Sequence, residues 1–227
     1  MSDARPTVLV LGASGGIGSA VQERFEREGH EVVGTSSADL NLTDPEGIER
    51  WCLRSRPSFG VLVHSAGRNF PAPFDELTEA EIRTCFDTNV TGFLDVMRHL
   101  RPELVENRGR VVVLSSLFGF LSRRGRLAYA MSKHALVGVV KTLALELGPQ
   151  GVLVNAVSPG YIETRLTHQN NDEASIAHLE TAIPLRRLGT PEDVAEAVYF
   201  LGSEHNRYIN GHDLVVDGGL SVDGGRD

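Results

Sequence analysis

The chain has 227 residues, 41% of them hydrophobic, with 24 glycines and a formal net charge of −8. That length and apolar content describe a globular protein able to bury a large core and exclude a disordered one. The acidic balance argues against the clustered basic face that a nucleic-acid partner requires, and no apolar run approaches the roughly 18 residues of a membrane span. Cys52 and Cys85 lack metal-ligand or CxxC spacing and read as reduced thiols of a cytoplasmic protein, and no metal site is predicted.

In chain order, residues 7–12 (TVLVLG) predict a buried strand, apolar or β-branched on both faces and ended by glycine. A helix follows, with Ile17, Val21 and Phe25 at helical spacing and Gly29 as its stop. HEVVGTSS (30–37) predicts a second strand. Asp44 then caps a helix that has Pro45 at its first position. FGVLVHSAG (59–67) reads as the third strand, and a long helix runs from the cap Thr78 to Leu104. GRVVVLSS (109–116) is the fourth strand, residues 127–147 a helix, and VLVNAVSPG (152–160) the fifth strand. A helix capped by Thr190 and the strand HDLVVDGG (212–219) close the chain. Strands alternating with helices of this length require crossovers and a parallel, doubly wound sheet. Such sheets bind ligands at the carboxyl ends of their strands.

Between the first strand and its helix, LGASGGIG (11–18) places Gly12, Gly16 and Gly18 as G-x-x-x-G-x-G. With Ser14, Gly15 and Ile17 they form a candidate pyrophosphate loop, because glycines let the backbone approach a phosphate at a helix N-terminus. The tip of the second strand carries Thr35, Ser36 and Ser37 where a carboxylate would select an unphosphorylated ribose. Hydroxyls there favour NADP(H), with NAD(H) the alternative. Asp39 reaches the ribose if the short turn folds back, and the plainer reading is that Ser36 and Ser37 only make a turn.

The stretch LAYAMSKHALVG (127–138) carries Tyr129 and, one helical turn later, Lys133, one of only two lysines beside twenty arginines. Residues four apart share a helix face. An ammonium there favours the phenolate and is expected to lower the phenol's pKa from its usual value near 10. A lysine suits this better than an arginine, being a compact charge that also donates to a ribose hydroxyl. Ser116, at the carboxyl edge of the fourth strand, can hydrogen-bond a substrate carbonyl while Tyr129 supplies the proton. Ser115 points to the other side of the strand.

These residues, with GASGGIG, DTNVTG, LSS followed by YAMSK, VNAVSPGYIETRL, PLRRLGTPEDVAEAVYFL and VDGG, cover nearly the whole chain. They resemble the short-chain dehydrogenase/reductase family, in the group that includes the 3-oxoacyl-carrier-protein reductases. The resemblance implies a single Rossmann-type α/β domain over residues 1–227, with a parallel seven-stranded sheet and helices on both faces. It implies a catalytic tetrad of Asn89, Ser116, Tyr129 and Lys133, in which Asn89 holds a water linking Lys133 to solvent. Pro159, Gly160, Ile162 and Thr164 are expected around the nicotinamide. Ala66 and Gly67 are expected near the adenosine ribose, and Asn41 and Leu42 at the adenine. The activity implied is hydride transfer between a nicotinamide cofactor and a ketone or secondary alcohol. A ketoreductase is the first reading, an NAD-dependent alcohol dehydrogenase the second, and a non-catalytic dinucleotide sensor the third. The intact tetrad argues against the sensor, which has no use for Tyr129 or Lys133.

The chain departs from the family pattern in two places. His64-Ser65-Ala66-Gly67 stands where Asn-Asn-Ala-Gly is usual, and His64 reads as a packed structural substitute. The turn after the second strand is short, with no full helix before LNLTD. Residues 165–185 are expected to form a lid over the substrate, or else a static surface helix. Phe70, Leu117, Phe118, Phe120 and Tyr161 are expected to line an apolar pocket. Arg123, Arg124 and Arg126 stand just before the catalytic helix, to meet a phosphopantetheine, a carrier protein or a substrate carboxylate, or simply to face solvent. Val90, Phe93, Val137 and Val140 add apolar positions to the two long helices. Together with the family resemblance they predict a homodimer or homotetramer.

Overall fold

The structure, a computed structural model, describes residues 5–54, 57–170 and 172–223. Among them six parallel strands form one sheet in the order β2-β1-β3-β4-β5-β6. The strands are β1 (Thr7–Leu11), β2 (Val32–Thr35), β3 (Phe59–His64), β4 (Arg110–Leu114), β5 (Leu153–Pro159) and β6 (Asp213–Val216). The helices are α1 (Gly16–Arg27), α2 (Pro45–Cys52), α3 (Glu79–Phe86), α4 (Gly92–Glu106), α5 (Leu127–Leu147), α6 (Arg165–Asn170), α7 (Glu173–Ala182) and α8 (Pro191–Gly202).

Strand alternation sorts the core into two layers. Leu9, Leu11, Leu62, Val111 and Val113 face one way, against Ile48, Phe93, Leu100, Leu136 and Val140 of α2, α4 and α5. Val8, Val10, Val61, Val63 and Val112 face the other way, against Val21 and Phe25 of α1 and Val194, Val198 and Leu201 of α8. Because successive side chains point to opposite faces, strands covered on both sides must be apolar throughout. All six residues of β3 are buried, as are all five of β1.

The sheet has six strands where seven were expected, and the reason is local. Residues 36–44 alone separate β2 from α2. A crossover to another parallel strand needs about a dozen residues or more, so β2 is left as the sheet edge. The predicted helix ends hold elsewhere. Asp44 Oδ1 accepts from Gly47 N, and Thr78 and Thr190 each form a reciprocal capping box with Glu81 and Asp193. The long helix from Thr78 is interrupted by a π-helical turn at Asp87–Thr91. A further correction concerns the long helices. Val90, Phe93 and Val140 pack in this chain's own core, so they cannot also form a subunit interface. Among the described residues no helix is long and apolar enough to cross a membrane.

Candidate active site

Strand order reverses between β1 and β3, and the crevice at that switch point is where such sheets bind ligands. A cleft of about 930 Å3 opens there. Its floor begins at the glycine loop. Gly12 adopts a φ of +83°, and a Cβ on it would lie 2.6 Å from the Ala66 backbone. A Cβ on Gly18 would lie 2.1 Å from the Gly12 carbonyl oxygen. Only glycine permits this coil of backbone. Helix α1 starts at Gly15 with no side-chain cap and no acidic residue in its first turn. Its first amide groups therefore face the cleft without a protein acceptor.

Ser14, Gly15, Gly16, Ile17 and Gly18 line one end of the cleft, and Gly67 its wall. Ser116, Tyr129, Lys133, Pro159, Gly160, Ile162 and Thr164 line the other. Thr164 reaches back to the loop, where a Cβ on Gly16 would stand 3.2 Å from its Cγ2. Gly12, Ala66, Thr35, Ser36, Ser37, Asn41, Leu42 and Asn89 were also predicted and do not line the cleft. Gly12 and Ala66 support its floor from behind. The Thr35 carbonyl accepts from the amides of Gly12 and Ala13 and so anchors the loop. Leu42 is buried against α4, where a Cβ on Gly92 would come within 2.1 Å of the Leu42 carbonyl oxygen.

Beyond β2 the turn does fold back. Asp39 Oδ2 accepts from the Ser36 amide at 2.9 Å and from Ser36 Oγ at 2.6 Å, and these bonds hold its carboxyl below the usual range. A carboxylate thus stands at the strand tip after all, supplied from three residues further along.

Asn89 sits on the π-helical turn, fully buried. Such turns concentrate at functional sites because they re-aim a side chain within a helix. Its Oδ1 accepts from the Arg68 amide at 2.7 Å, and its Nδ2 donates to the Arg68 carbonyl at 3.0 Å and to Ser132 Oγ at 2.8 Å. Its own carbonyl meets His64 Nε2 at 2.9 Å. A Cβ on Gly67 would lie 3.6 Å from Asn89 Oδ1 and 3.8 Å from Lys133 Nζ, so both groups flank the same wall. His64 stacks on Phe93 at 4.8 Å with no exposure, and burial, then the Lys133 charge, drives its pKa down to about 3. It is a neutral structural donor, as expected.

Tyr129 and Lys133 share a face of α5, and Ser116 lines the same cleft as the phenol. Lys133 Nζ lies 5.4 Å from the Tyr129 ring centroid and donates to the Leu114 carbonyl at 2.6 Å. The expected acidification of the phenol is absent here. Burial pushes Tyr129 up to about 12, against the pull of Ser116 and Arg126, and burial lowers Lys133 to about 8. The ammonium stands over the ring rather than at the phenol oxygen, so desolvation wins.

Other residues were not anticipated. Arg68, Asn69, Leu121, Ser122, Gln169 and Leu220 line the cleft. Arg68 and Asn69 directly follow Ala66-Gly67, and that position on a strand-end loop is the signal that could have found them. Of the expected pocket residues, Leu117, Phe118 and Tyr161 take part, whereas Phe70 and Phe120 do not, and Phe120 is exposed. Arg123 and Arg126 line the cleft and Arg124 faces solvent. Helix α6 contributes Arg165, Thr167 and Gln169.

The sequence model of a family described as enoyl-(acyl carrier protein) reductase matches residues 38–221. A 3-oxoacyl-[acyl-carrier-protein] reductase of Vibrio cholerae is 34% identical, over 93% of this chain and 96% of that protein. Among solved structures, the aldohexose dehydrogenase of Thermoplasma acidophilum superposes with a TM-score of 0.91 at 31% identity, covering 96% of this chain and 95% of that one. A Beutenbergia cavernae protein assigned as an NAD(P)-dependent gluconate 5-dehydrogenase, with NADP bound, matches equally well at 32% identity, over 97% and 98% of the two chains. Fold and site together define a nicotinamide-dependent oxidoreductase. The chain belongs to the short-chain dehydrogenase/reductase family.

Proposed function

We propose that the protein is a ketoreductase in which Tyr129 is the proton donor, Ser116 orients the carbonyl and Lys133 holds the nicotinamide ribose. The residues fit a dinucleotide: the loop leaves no room for a Cβ at Gly12 or Gly18, and α1 presents uncapped amides to the cleft. Gly15 to Gly18 would hold the pyrophosphate, and Pro159, Gly160, Ile162 and Thr164 the nicotinamide. When bound, the reduced cofactor supplies hydride to the carbonyl carbon. The protein's own part is to hold the carbonyl oxygen between Ser116 Oγ and Tyr129 Oη and to give it the phenolic proton. Asn89, through its bonds to Arg68 and Ser132, fixes the wall behind Lys133.

The observation that carries the reading is the convergence of Ser116, Tyr129 and Lys133 on one cleft with the glycine loop, and burial of the phenol, which raises its pKa, favours the acid form. Reduction needs an acid there, whereas alcohol oxidation needs a phenolate. Nicotinamide absorbance, followed over a panel of ketones and alcohols with both cofactors, tests this. Faster alcohol oxidation than ketone reduction at neutral pH would reverse the assignment.

NADP(H) is the first reading for the cofactor, supported by the Ser36 and Ser37 hydroxyls and by the NADP bound to the Beutenbergia relative. Asp39 favours a second reading, NAD(H), because its carboxylate already occupies the Ser36 donors and repels a 2′-phosphate. Asp39→Asn is expected to raise the NADPH-to-NADH ratio of kcat/KM by about tenfold, the scale of one lost charge contact.

Residues 165–185 are proposed to close over the substrate, since α6 lines the cleft. The family likeness is what supports a homo-oligomer, and sedimentation tests it.

A further inference from the structure

The protein carries a net charge of −8, yet no aspartate or glutamate lines the cleft among the described residues. Arg68, Arg123, Arg126, Arg165 and Lys133 line it instead. Loop amides suffice for a pyrophosphate, and Lys133 serves the ribose, so the arginines at the substrate end have no assigned anion. Arg126 is the most telling. Its Nη1 is buried and has no hydrogen-bond partner, and it makes no ion pair among the described residues. It is also the residue preceding the first turn of α5, where the helix dipole repels a cation. A half-buried guanidinium with one buried, unpartnered nitrogen at the positive end of a helix is costly unless a ligand pairs with it. Asn69 Oδ1, lining the same cleft, is another buried polar atom without a partner. Arg123 is held near by a 3.3 Å hydrogen bond from its Nη1 to Tyr161 Oη.

We propose that Arg126 is an oxyanion receptor and that the substrate is a short oxo acid whose carboxylate lies a few bonds from the reacting carbonyl. Reach sets the chain length. Arg126 and Tyr129 line the same cleft, and the guanidinium is near enough to act on the phenol, so an anion on it would lie at short separation from a carbonyl held by Tyr129. The phosphate of a phosphopantetheine thioester lies many bonds from its carbonyl and does not fit that separation. This inference rests on the ketoreductase reading and names its substrate class.

The test compares 2-, 3- and 4-oxopentanoate with their methyl esters and with acetoacetyl-coenzyme A, using wild type, Arg126→Gln and Arg126→Lys. For wild type, at least one acid should exceed its ester in kcat/KM by on the order of 10- to 100-fold, the scale of a charge-assisted hydrogen bond. Arg126→Gln should collapse that acid-to-ester ratio, and Arg126→Lys should retain part of it. Should Arg126→Gln fail to fold, competitive inhibition of wild-type ketone reduction by pentanoate, but not by methyl pentanoate, supplies the same reading. Equal rates for acids and esters would overturn the receptor while leaving the reductase standing. Preference for the coenzyme A thioester, lost in Arg126→Gln, would assign the arginine to a phosphate and overturn the carboxylate. If no carbonyl compound is reduced with either cofactor, the ketoreductase reading falls and this inference with it.

Discussion

At the scale of single residues, Tyr129 and Lys133 answer different questions. The phenol is the acid, so Tyr129→Phe is expected to lower turnover by about 10²–10⁴-fold, the usual worth of general acid catalysis. Dinucleotide affinity, read by fluorescence titration, should survive it. Lys133→Arg should lose turnover despite keeping its charge, because a planar fork cannot take the place of the single ammonium now on the Leu114 carbonyl. The pH dependence follows from the two shifts. Burial lowers Lys133 to about 8, so the charge proposed to hold the ribose is present below that pH and lost above it. Burial raises Tyr129 to about 12, so the acid keeps its proton throughout. Reduction is therefore expected to be flat below about pH 8 and to fall above it, with the inflection absent from binding data for a ligand that avoids Lys133. A profile that instead fell on the acid side of neutrality would contradict both assignments. His64 belongs to the same neighbourhood but to stability. Its removal in His64→Ala deletes the stack on Phe93 and the bond to Asn89, at a cost of about 2–4 kcal/mol in urea unfolding.

At the scale of elements, the caps and strands were legible because their signals are local. Asp44, Thr78 and Thr190 cap the helices that their positions in the sequence suggest. The glycine loop and the Ser116-Tyr129-Lys133 set were legible as motifs, and the structure brings them to one cleft. What stayed hidden depends on contacts between distant segments. The phenol's environment is one case, since spacing places Lys133 on its face but not at its oxygen. The missing seventh strand is another, as a short turn is readable but its consequence for the sheet edge is geometric. The π-helical turn is a third: DTNVTG reads as ordinary helix, and only packing shows that it aims Asn89 at Arg68. The close approach of Gly92 to Leu42 could not be read either, and it makes a test. Gly92→Ala puts a Cβ against the Leu42 carbonyl, so that the loop must move. A loss of about 1–3 kcal/mol is expected, as for overpacking, together with weaker cofactor binding on the proposal, drawn from the family likeness, that Asn41 and Leu42 meet the adenine. Thr78→Ala is the control, costing about 1 kcal/mol as a lost cap and leaving cofactor affinity alone. Equal cofactor affinities for both variants would detach the Leu42 loop from the adenine site.

At the scale of the whole molecule, the cleft joins loops that follow four strands: the glycine loop after β1, Gly67 after β3, Ser116 after β4 and Gly160 after β5. A dinucleotide laid across them contacts both sides of the switch point and binds only where all four ends are in register, which the unfolded chain cannot provide. Ligand binding confined to the folded state stabilises it by mass action, by about 2.7 kcal/mol at a hundred times Kd. For a chain of this size that is a rise in Tm of roughly 5–10 °C, since each kcal/mol moves the midpoint by about 2–4 °C. Thermal unfolding in saturating NADPH, in NADH and in neither reads the cofactor preference without any substrate. Tyr129→Phe should show the same rise as wild type, because the phenol's proton serves chemistry, whereas Gly18→Ala should show none, because its Cβ would collide with the Gly12 carbonyl and displace the loop. A midpoint indifferent to both cofactors in the wild-type protein would separate this cleft from dinucleotide binding altogether, and the roles assigned to its side chains would go with it.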